Sequence, residues 1–503
     1  MKLNKMSLNF MSSFVYILTQ FAQAMWITSY IQRYMGVEAY GYIAVIVNLI
    51  NIAGIMTVSL TSISSRFMVI ELRNLDMDSV RKLYSSIMGV TIIMAMLSIV
   101  FFMLINLNLS NIININDMYI KQAEILTIFV GMEFVLHLLQ VPYQSIFYYE
   151  NRLYYYYTFM ALSNVVRMVT IWVVFNYWRP MIWAGYAGSV FISIIALLFC
   201  ILYKGKKYSQ LKFHYYCICK EKIIQLFTSG AWMSLSKLAA TLISLSGTYL
   251  VNILLGVFLA GIYASITQLQ LILSFVTVTI VNIFLPEMLK SYAEGNVKSL
   301  CEYSNSAMNL VSSMLGLIAG GLVAYGSDFM SLWISYQYKE YSLLIAISVF
   351  YLPLAYSAEV LNQLAITLNK VKFLSLTSIM CGTANLFLTI LLVKYFSSGI
   401  YGVALSQCFI LAIRAGMIFP LYIAHALNTG VLRFVISQSK GIAVACVTGA
   451  IAYMLRLYQL PDTWGRLFVN SSVTAVTALC LILVFDKRLR VFLLNFLPVN
   501  TRS

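Results

Sequence analysis

Long apolar runs, each broken by a few polar or charged residues, follow one another along the whole chain. A helix crossing a bilayer takes roughly 20 apolar residues. Runs of that length fall near 9–31, 40–63, 83–106, 121–147, 154–177, 181–203 and 226–255 in the first part of the chain. They continue near 262–286, 305–326, 341–366, 373–395, 400–424, 436–456 and 466–486. A membrane barrel would show alternating segments of about ten residues instead, so each run predicts a helix. The predicted fold is an all-α polytopic membrane protein with about 14 transmembrane helices. The first run resembles an export signal in position, but it is span-length and no small-residue cleavage site ends it, so it is read as the first span. Pro142, Pro353 and Pro420 sit inside or near the ends of runs, where membrane helices tolerate kinks.

Composition narrows the function classes. Of 503 residues, 61% are hydrophobic and 10% charged, against about half and a quarter in soluble domains. No Gly-x-x-x-x-Gly-Lys-Ser/Thr loop is present, which excludes a P-loop ATPase. Cys217 and Cys219 lack the second pair of a zinc site, and three histidines are too few for a His-based metal or catalytic centre. No metal and no cofactor are expected.

Charge sets the orientation. Most of the 33 basic residues collect on one side if the N-terminus is cytoplasmic, with Lys204, Lys206, Lys207, Lys212, Lys220 and Lys222 in one loop. That asymmetry predicts an N-in, C-in topology, with outer loops near 107–120 and 327–340. It also accounts for the net charge of +16 through contact with an anionic membrane lipid leaflet rather than nucleic acid.

An internal repeat organises the spans. The sequence Gly36-Val37-Glu38-Ala39-Tyr40-Gly41 recurs as Gly256-Val257-Phe258-Leu259-Ala260-Gly261. Gly185-Tyr186-Ala187 echoes Gly402-Val403-Ala404, Leu202-Tyr203 echoes Leu421-Tyr422, and Asn151-Arg152 echoes Asn369-Lys370. The first twelve spans therefore read as two parallel six-helix repeats around a central cavity, residues 1–222 and 223–435. Residues 436–503 add two C-terminal helices and a tail. Parallel repeats are typical of transporters that bind substrate near the bilayer midplane.

Polar residues within spans fall into stripes at three- and four-residue steps, which places each set on one helix face. The stripes include Tyr16, Gln20, Gln23 and Tyr30 in span 1, Asn48, Asn51 and Arg66 in span 2, Lys237 in span 7, and Gln268 and Asn282 in span 8. Amides facing lipid cost free energy, so these faces line a hydrophilic cavity or knit helices together. Charges inside spans are Glu133, Arg167, Lys237, Glu359 and Arg414. Each costs about 2.5–3.5 kcal/mol near a helix centre on insertion scales, so each is a site residue or half of a pair. Pairing would join Glu133 to Arg167, and Glu359 to Lys237 or Arg414. With Arg33 and Arg66 at opposite mouths the cavity is cationic and suits an anionic substrate, while Glu359 and Glu133 are candidates for coupling to H+ or Na+. Gly316-x-x-x-Gly320 reads as a helix-packing motif.

The run Arg33-Tyr34-Met35-Gly36-Val37-Glu38-Ala39-Tyr40-Gly41, with Ser65-Arg66-Phe67, resembles the bacterial polysaccharide flippases of the multidrug/oligosaccharidyl-lipid/polysaccharide exporter superfamily. Gly261-Ile262-Tyr263, Leu285-Pro286-Glu287 and Ser331-Leu332-Trp333 resemble landmarks of that family's second half. Fourteen spans rather than twelve is closer to the lipid II flippase branch. The resemblance implies a flippase of the bacterial inner membrane that moves undecaprenyl-pyrophosphate-linked oligosaccharide, an O-antigen or capsule repeat unit, by alternating access. It implies a polysaccharide polymerase and chain-length machinery as partners. The rival readings are a drug/cation antiporter of the same superfamily and a membrane polysaccharide polymerase or ligase.

Overall fold

A computed structural model describes residues 5–54, 77–208, 210–224, 245–368 and 370–485, together with 60, 64–65, 67–68, 71–72, 234–235, 238–239 and 241–243. Every regular element among the described residues is helical. In chain order the α-helices longer than one turn are α1 (Lys5–Met35), α2 (Val37–Asn51), α3 (Met77–Leu107), α4 (Ile120–Tyr149), α5 (Tyr154–Tyr177), α6 (Ala184–Lys207), α7 (Leu250–Leu255) and α8 (Val257–Ala293). There follow α9 (Val297–Trp333), α10 (Ser342–Phe350), α11 (Leu352–Thr367), α12 (Val371–Lys394), α13 (Gly399–Ile413), α14 (Phe419–Leu427), α15 (Leu432–Tyr458) and α16 (Trp464–Phe485). Ten stretches among the described residues are long and apolar enough to cross a membrane. Met96, Leu97, Val100, Met103 and Leu104 of α3 are each more than half exposed, a surface suited to hydrocarbon and not to water. The protein is a multi-pass membrane protein.

Two expected spans are broken helices. The tenth divides into α10 and α11, with Pro353 at the start of α11, where a missing N–H costs nothing. The twelfth divides into α13 and α14 around a π turn, Arg414–Ile418. The ring of Pro420 would press on the carbonyl four residues back, that of Gly416, in a regular helix, and the wider turn relieves that clash. Pro142 lies within an unbroken α4. The expected loop at 327–340 is also corrected, because α9 runs on to Trp333 and buries Asp328. Arg456 Nε at 2.9 Å and Lys339 Nζ at 3.9 Å compensate its charge, so the helix passes through an acidic position.

The chain forms two compact units, residues 1–264 and 265–503. In the first, α1 lies along α5, α5 along α6, α3 along α4, and α4 against both α6 and α2. Val80, Leu83, Tyr84, Ile87, Val90, Leu138, Val141 and Ile146 fill the space between α3 and α4. The glycine repeat becomes a close crossing. Gly36 (φ 86°) and Gly256 (φ 94°) make the left-handed turns that launch α2 and α8, a backbone region open to glycine. One turn on, a Cβ at Gly41 would sit 2.6 Å from the Val257 carbonyl oxygen, and one at Gly261 would strike the Val37 carbonyl and lie 2.7 Å from Val37 Cγ1. The loop after α3 is strapped beside this crossing. Asn114 N donates to Asn252 Oδ1 at 3.0 Å, Asn252 Nδ2 donates back to Asn114 O at 3.3 Å, and Asn116 N donates to the Tyr42 hydroxyl at 2.9 Å.

In the second unit α15 docks on α9 along small residues. A Cβ at Gly316 would strike the Gly441 carbonyl, one at Gly320 would meet Ala445 O at 2.5 Å, and one at Gly441 would meet Ser312 O at 2.6 Å. The Gly316/Gly320 pair thus packs helix on helix within the chain. A second echo is visible at the ends of α6 and α14. Tyr203 receives a hydrogen bond from Arg152 at 3.2 Å, and Tyr422 donates to Lys370 O at 3.2 Å. Each tyrosine holds the turn that precedes the fifth helix of its repeat.

Candidate functional site

The α1 stripe divides between two uses. Thr19 accepts from Asn164 at 3.4 Å, Tyr30 accepts from Asn176 at 3.0 Å, and Tyr16 stacks on Tyr157, so part of the face joins α1 to α5. Gln20 and Gln23 are half-buried, and Gln23 Oε1 is buried without a hydrogen-bond partner. Asn48 is half-buried and Asn51 exposed on α2, Gln268 is half-buried and Asn282 exposed on α8, and Arg33 is exposed at the end of α1. Arg66 and Lys237 lie outside the described residues.

The charges at mid-span are the most organised part of the first unit. Arg167 of α5 points Nη2 at both carboxylate oxygens of Glu133 of α4, each at 2.6 Å. Ser189 of α6 donates to Glu133 Oε2 at 2.9 Å and accepts from Arg167 at 3.0 Å. The guanidinium also lies 4.2 Å over the ring of Tyr186. One turn beyond Glu133, His137 Nε2 meets Ser193 Oγ at 3.2 Å, and Ser193 donates to the Ser189 carbonyl at 2.9 Å. Gln140 Nε2 reaches the Ser193 carbonyl at 3.2 Å. Arg167 Nε remains buried with no hydrogen-bond partner. Three helices therefore converge on a polar chain inside apolar surroundings, a costly arrangement unless every member is satisfied.

Sequence reading found Glu133 and Arg167 and missed the rest. The signal was in the spacing: His137 follows Glu133, and Ser193 follows Ser189, by the four residues that put a pair on one face. The repeat offset carries a second signal. Positions 167 and 189 correspond to Asn385 and Ser406, and these also meet, with Ser406 Oγ 2.7 Å from Asn385 Oδ1 and Thr389 donating to Ser406 at 3.1 Å. The second unit makes the same helix-to-helix join without a charge.

Glu359 and Arg414 do not form an ion pair within 4 Å. Glu359 accepts from Asn362 Nδ2 at 3.2 Å, and Arg414, in the π turn, stands 4.7 Å over Phe419. The joint that holds the turn after α4 is ionic in the first unit. Glu150 Oε2 receives the Tyr203 hydroxyl at 2.5 Å and lies 2.7 Å from Lys207 Nζ. Burial raises the Glu150 pKa, but the hydrogen bonds from Lys207, Tyr203 and Tyr208 outweigh it and hold the carboxyl below its ordinary value. Among the described residues no three metal-ligating side chains cluster.

A family model described as "Polysaccharide biosynthesis protein" matches residues 9–292. The chain is 23% identical over 494 residues to the uncharacterized membrane protein EpsK of Bacillus subtilis (strain 168), covering 96% of this chain and 97% of that one. Among solved structures, the lipid II flippase MurJ in an inward closed conformation superposes with a TM-score of 0.72 at 14% identity, over 96% of this chain and 99% of its own. A multidrug resistance MATE family transporter of the MOP superfamily, inward-facing, superposes with a TM-score of 0.64 at 11% identity, over 84% of this chain and 98% of its own.

Proposed function

The chain belongs to the polysaccharide biosynthesis protein family, and we propose that it is a flippase for a lipid-linked oligosaccharide. The substrate is an undecaprenyl-pyrophosphate-linked glycan repeat unit, carried across a bacterial inner membrane by alternating access. The observation that carries this reading is the likeness of fold to the lipid II flippase along nearly the whole chain. The multidrug transporter leaves about a sixth of the chain uncovered. Supporting it chemically, arginine and lysine suit a pyrophosphate, and amides and tyrosines suit sugar hydroxyls.

In this reading Arg33, Arg66, Arg167, Lys237 and Arg414 handle the anion, while Gln20, Gln23, Asn48, Asn51, Gln268 and Asn282 handle sugar. The halves are 1–222 and 223–435, the last helices begin at 436, and both termini are cytoplasmic. The chain moves its substrate and makes no covalent change to it. The test is reconstitution of the full chain in vesicles with a fluorescent undecaprenyl-pyrophosphate disaccharide, scoring access of an external lectin. Translocation above protein-free vesicles supports the reading. No translocation, together with extrusion of cationic dyes from the same vesicles, replaces it with a drug/cation antiporter.

A further inference from the structure

The second unit joins its equivalent helices with Asn385, Ser406 and Thr389, all buried and all neutral. The fold therefore has a charge-free solution to this packing problem. At the place that matches Asn385 the first unit carries a guanidinium, joined from α4 by a carboxylate, with an imidazole one turn on. Replacing a buried ion pair with apolar or neutral groups is often neutral or stabilising, so packing alone does not call for these charges.

The histidine tautomer is assigned from the hydrogen bonds around it. Ser193 Oγ gives its one hydrogen to the Ser189 carbonyl, so it accepts from His137 Nε2–H. That leaves His137 Nδ1 as the basic nitrogen. Glu133, one turn away on the same helix, lies within electrostatic reach of the ring. Of the helices packed on α4, α5 supplies Arg167 and α6 supplies Tyr186. Neither 43–51 of α2 nor 85–107 of α3 carries an acid, a base or a tyrosine. Tyr16 of α1 lies within electrostatic reach of Arg167. Glu133 thus has two competing cations, one permanent and one conditional.

We propose that Glu133, His137 and Arg167 form a proton-linked anion site, in which Arg167 passes from Glu133 to a phosphate group when His137 is protonated. With neutral imidazole the cluster carries no net charge, and Glu133 holds Arg167. One proton taken from water onto Nδ1 gives an imidazolium one turn from Glu133, a favourable pairing distance. The cluster then has a net charge of one positive, which an apolar surrounding does not tolerate alone. A bound anion answers that positive charge, and Arg167, whose Nε has no partner, has the fork to hold it. The ligand is a phosphate or pyrophosphate group, so this inference rests on the lipid-pyrophosphate reading above.

The experiment measures inorganic pyrophosphate binding to the full-length protein in nanodiscs of uncharged lipid at pH 6 and pH 8. A required proton weakens binding by up to about tenfold per pH unit above the histidine pKa. The wild type should weaken at least tenfold more than His137→Gln, whose only pH dependence comes from pyrophosphate itself. Glu133→Gln frees Arg167 at every pH and should bind tightly at both. The pair Arg167→Asn/Glu133→Gln, which removes both charges and copies Asn385 at the first position, should fold at parental abundance and lose binding at both pH values. If that pair fails to fold, the charges serve folding and the proposal falls. Arg167-dependent binding with the same pH profile in wild type and His137→Gln overturns the proton link and leaves the anionic substrate standing. Absence of pyrophosphate binding by every form removes both.

Discussion

Adding one methyl group at the glycine crossing of α2 and α8 tests whether this contact is as tight as it looks. At Gly41 the new Cβ meets the Val257 carbonyl oxygen at 2.6 Å and the Gly261 nitrogen at 3.1 Å. Both are backbone atoms, so no side chain can turn aside. Reaching the 3.4 Å at which ordinary contact begins requires the helices to part by about 0.8 Å. A gap of that size forfeits a quarter to a half of the dispersion attraction along the seam. With the overpacking strain, Gly41→Ala should lose about 1–3 kcal/mol. Gly261→Ala, which strikes the Val37 carbonyl, should lose at least as much. Once one methyl has parted the helices the second enters more easily, so the double variant should lose less than the sum. Gly205→Ala is the control: nothing lies within 4 Å of its Cβ, and Ala in place of a helical Gly gains about 0.5–1 kcal/mol. The assay is reversible unfolding of the detergent-solubilised full chain by dodecyl sulfate, followed by circular dichroism. If Gly41→Ala and Gly261→Ala unfold with Gly205→Ala, or if their losses add in full, the close crossing is refuted.

Three other expectations follow from single contacts. Asp328→Asn removes the buried carboxylate that Arg456 and Lys339 share and, because both cations keep some contact with solvent, should cost about 1.5–3 kcal/mol, whereas Asp328→Leu/Arg456→Met should recover most of it in the same unfolding assay. Glu150 is held below its ordinary pKa in the folded chain, so its stabilisation is present above the unfolded pKa of about 4.3 and is lost as pH falls through the lower folded value. The wild-type excess in melting temperature over Glu150→Gln should therefore be full at pH 7 and should vanish in strong acid; an excess independent of pH would contradict it. A membrane-impermeant thiol reagent should label Cys217 and Cys219 only from the cytoplasmic side and a cysteine introduced at Asn111 only from the other, and labelling of either from both sides would overturn the N-in orientation.

Hydropathy alone located most of the helices that the structure describes, because insertion into a bilayer is a property summed over each segment and needs no partner. The amino-acid sequence set the glycine repeat too, since left-handed turns and backbone contact both demand the absence of a Cβ, at Gly36 and Gly41 as at Gly256 and Gly261. It also exposed Glu133 and Arg167, charges too costly in an apolar run to overlook. The partner that each buried polar group finds emerged only from the packing of the helices. Hydropathy reports the environment of a segment, whereas a hydrogen bond depends on angstrom-scale distances between helices far apart in sequence. That is why Asp328, read as a loop residue, proved to be a buried acid held by Arg456, and why Glu359 stands apart from Arg414. The same limit hid His137, Ser189 and Ser193, whose importance comes from the meeting of α4, α5 and α6 and not from any one of their sequences.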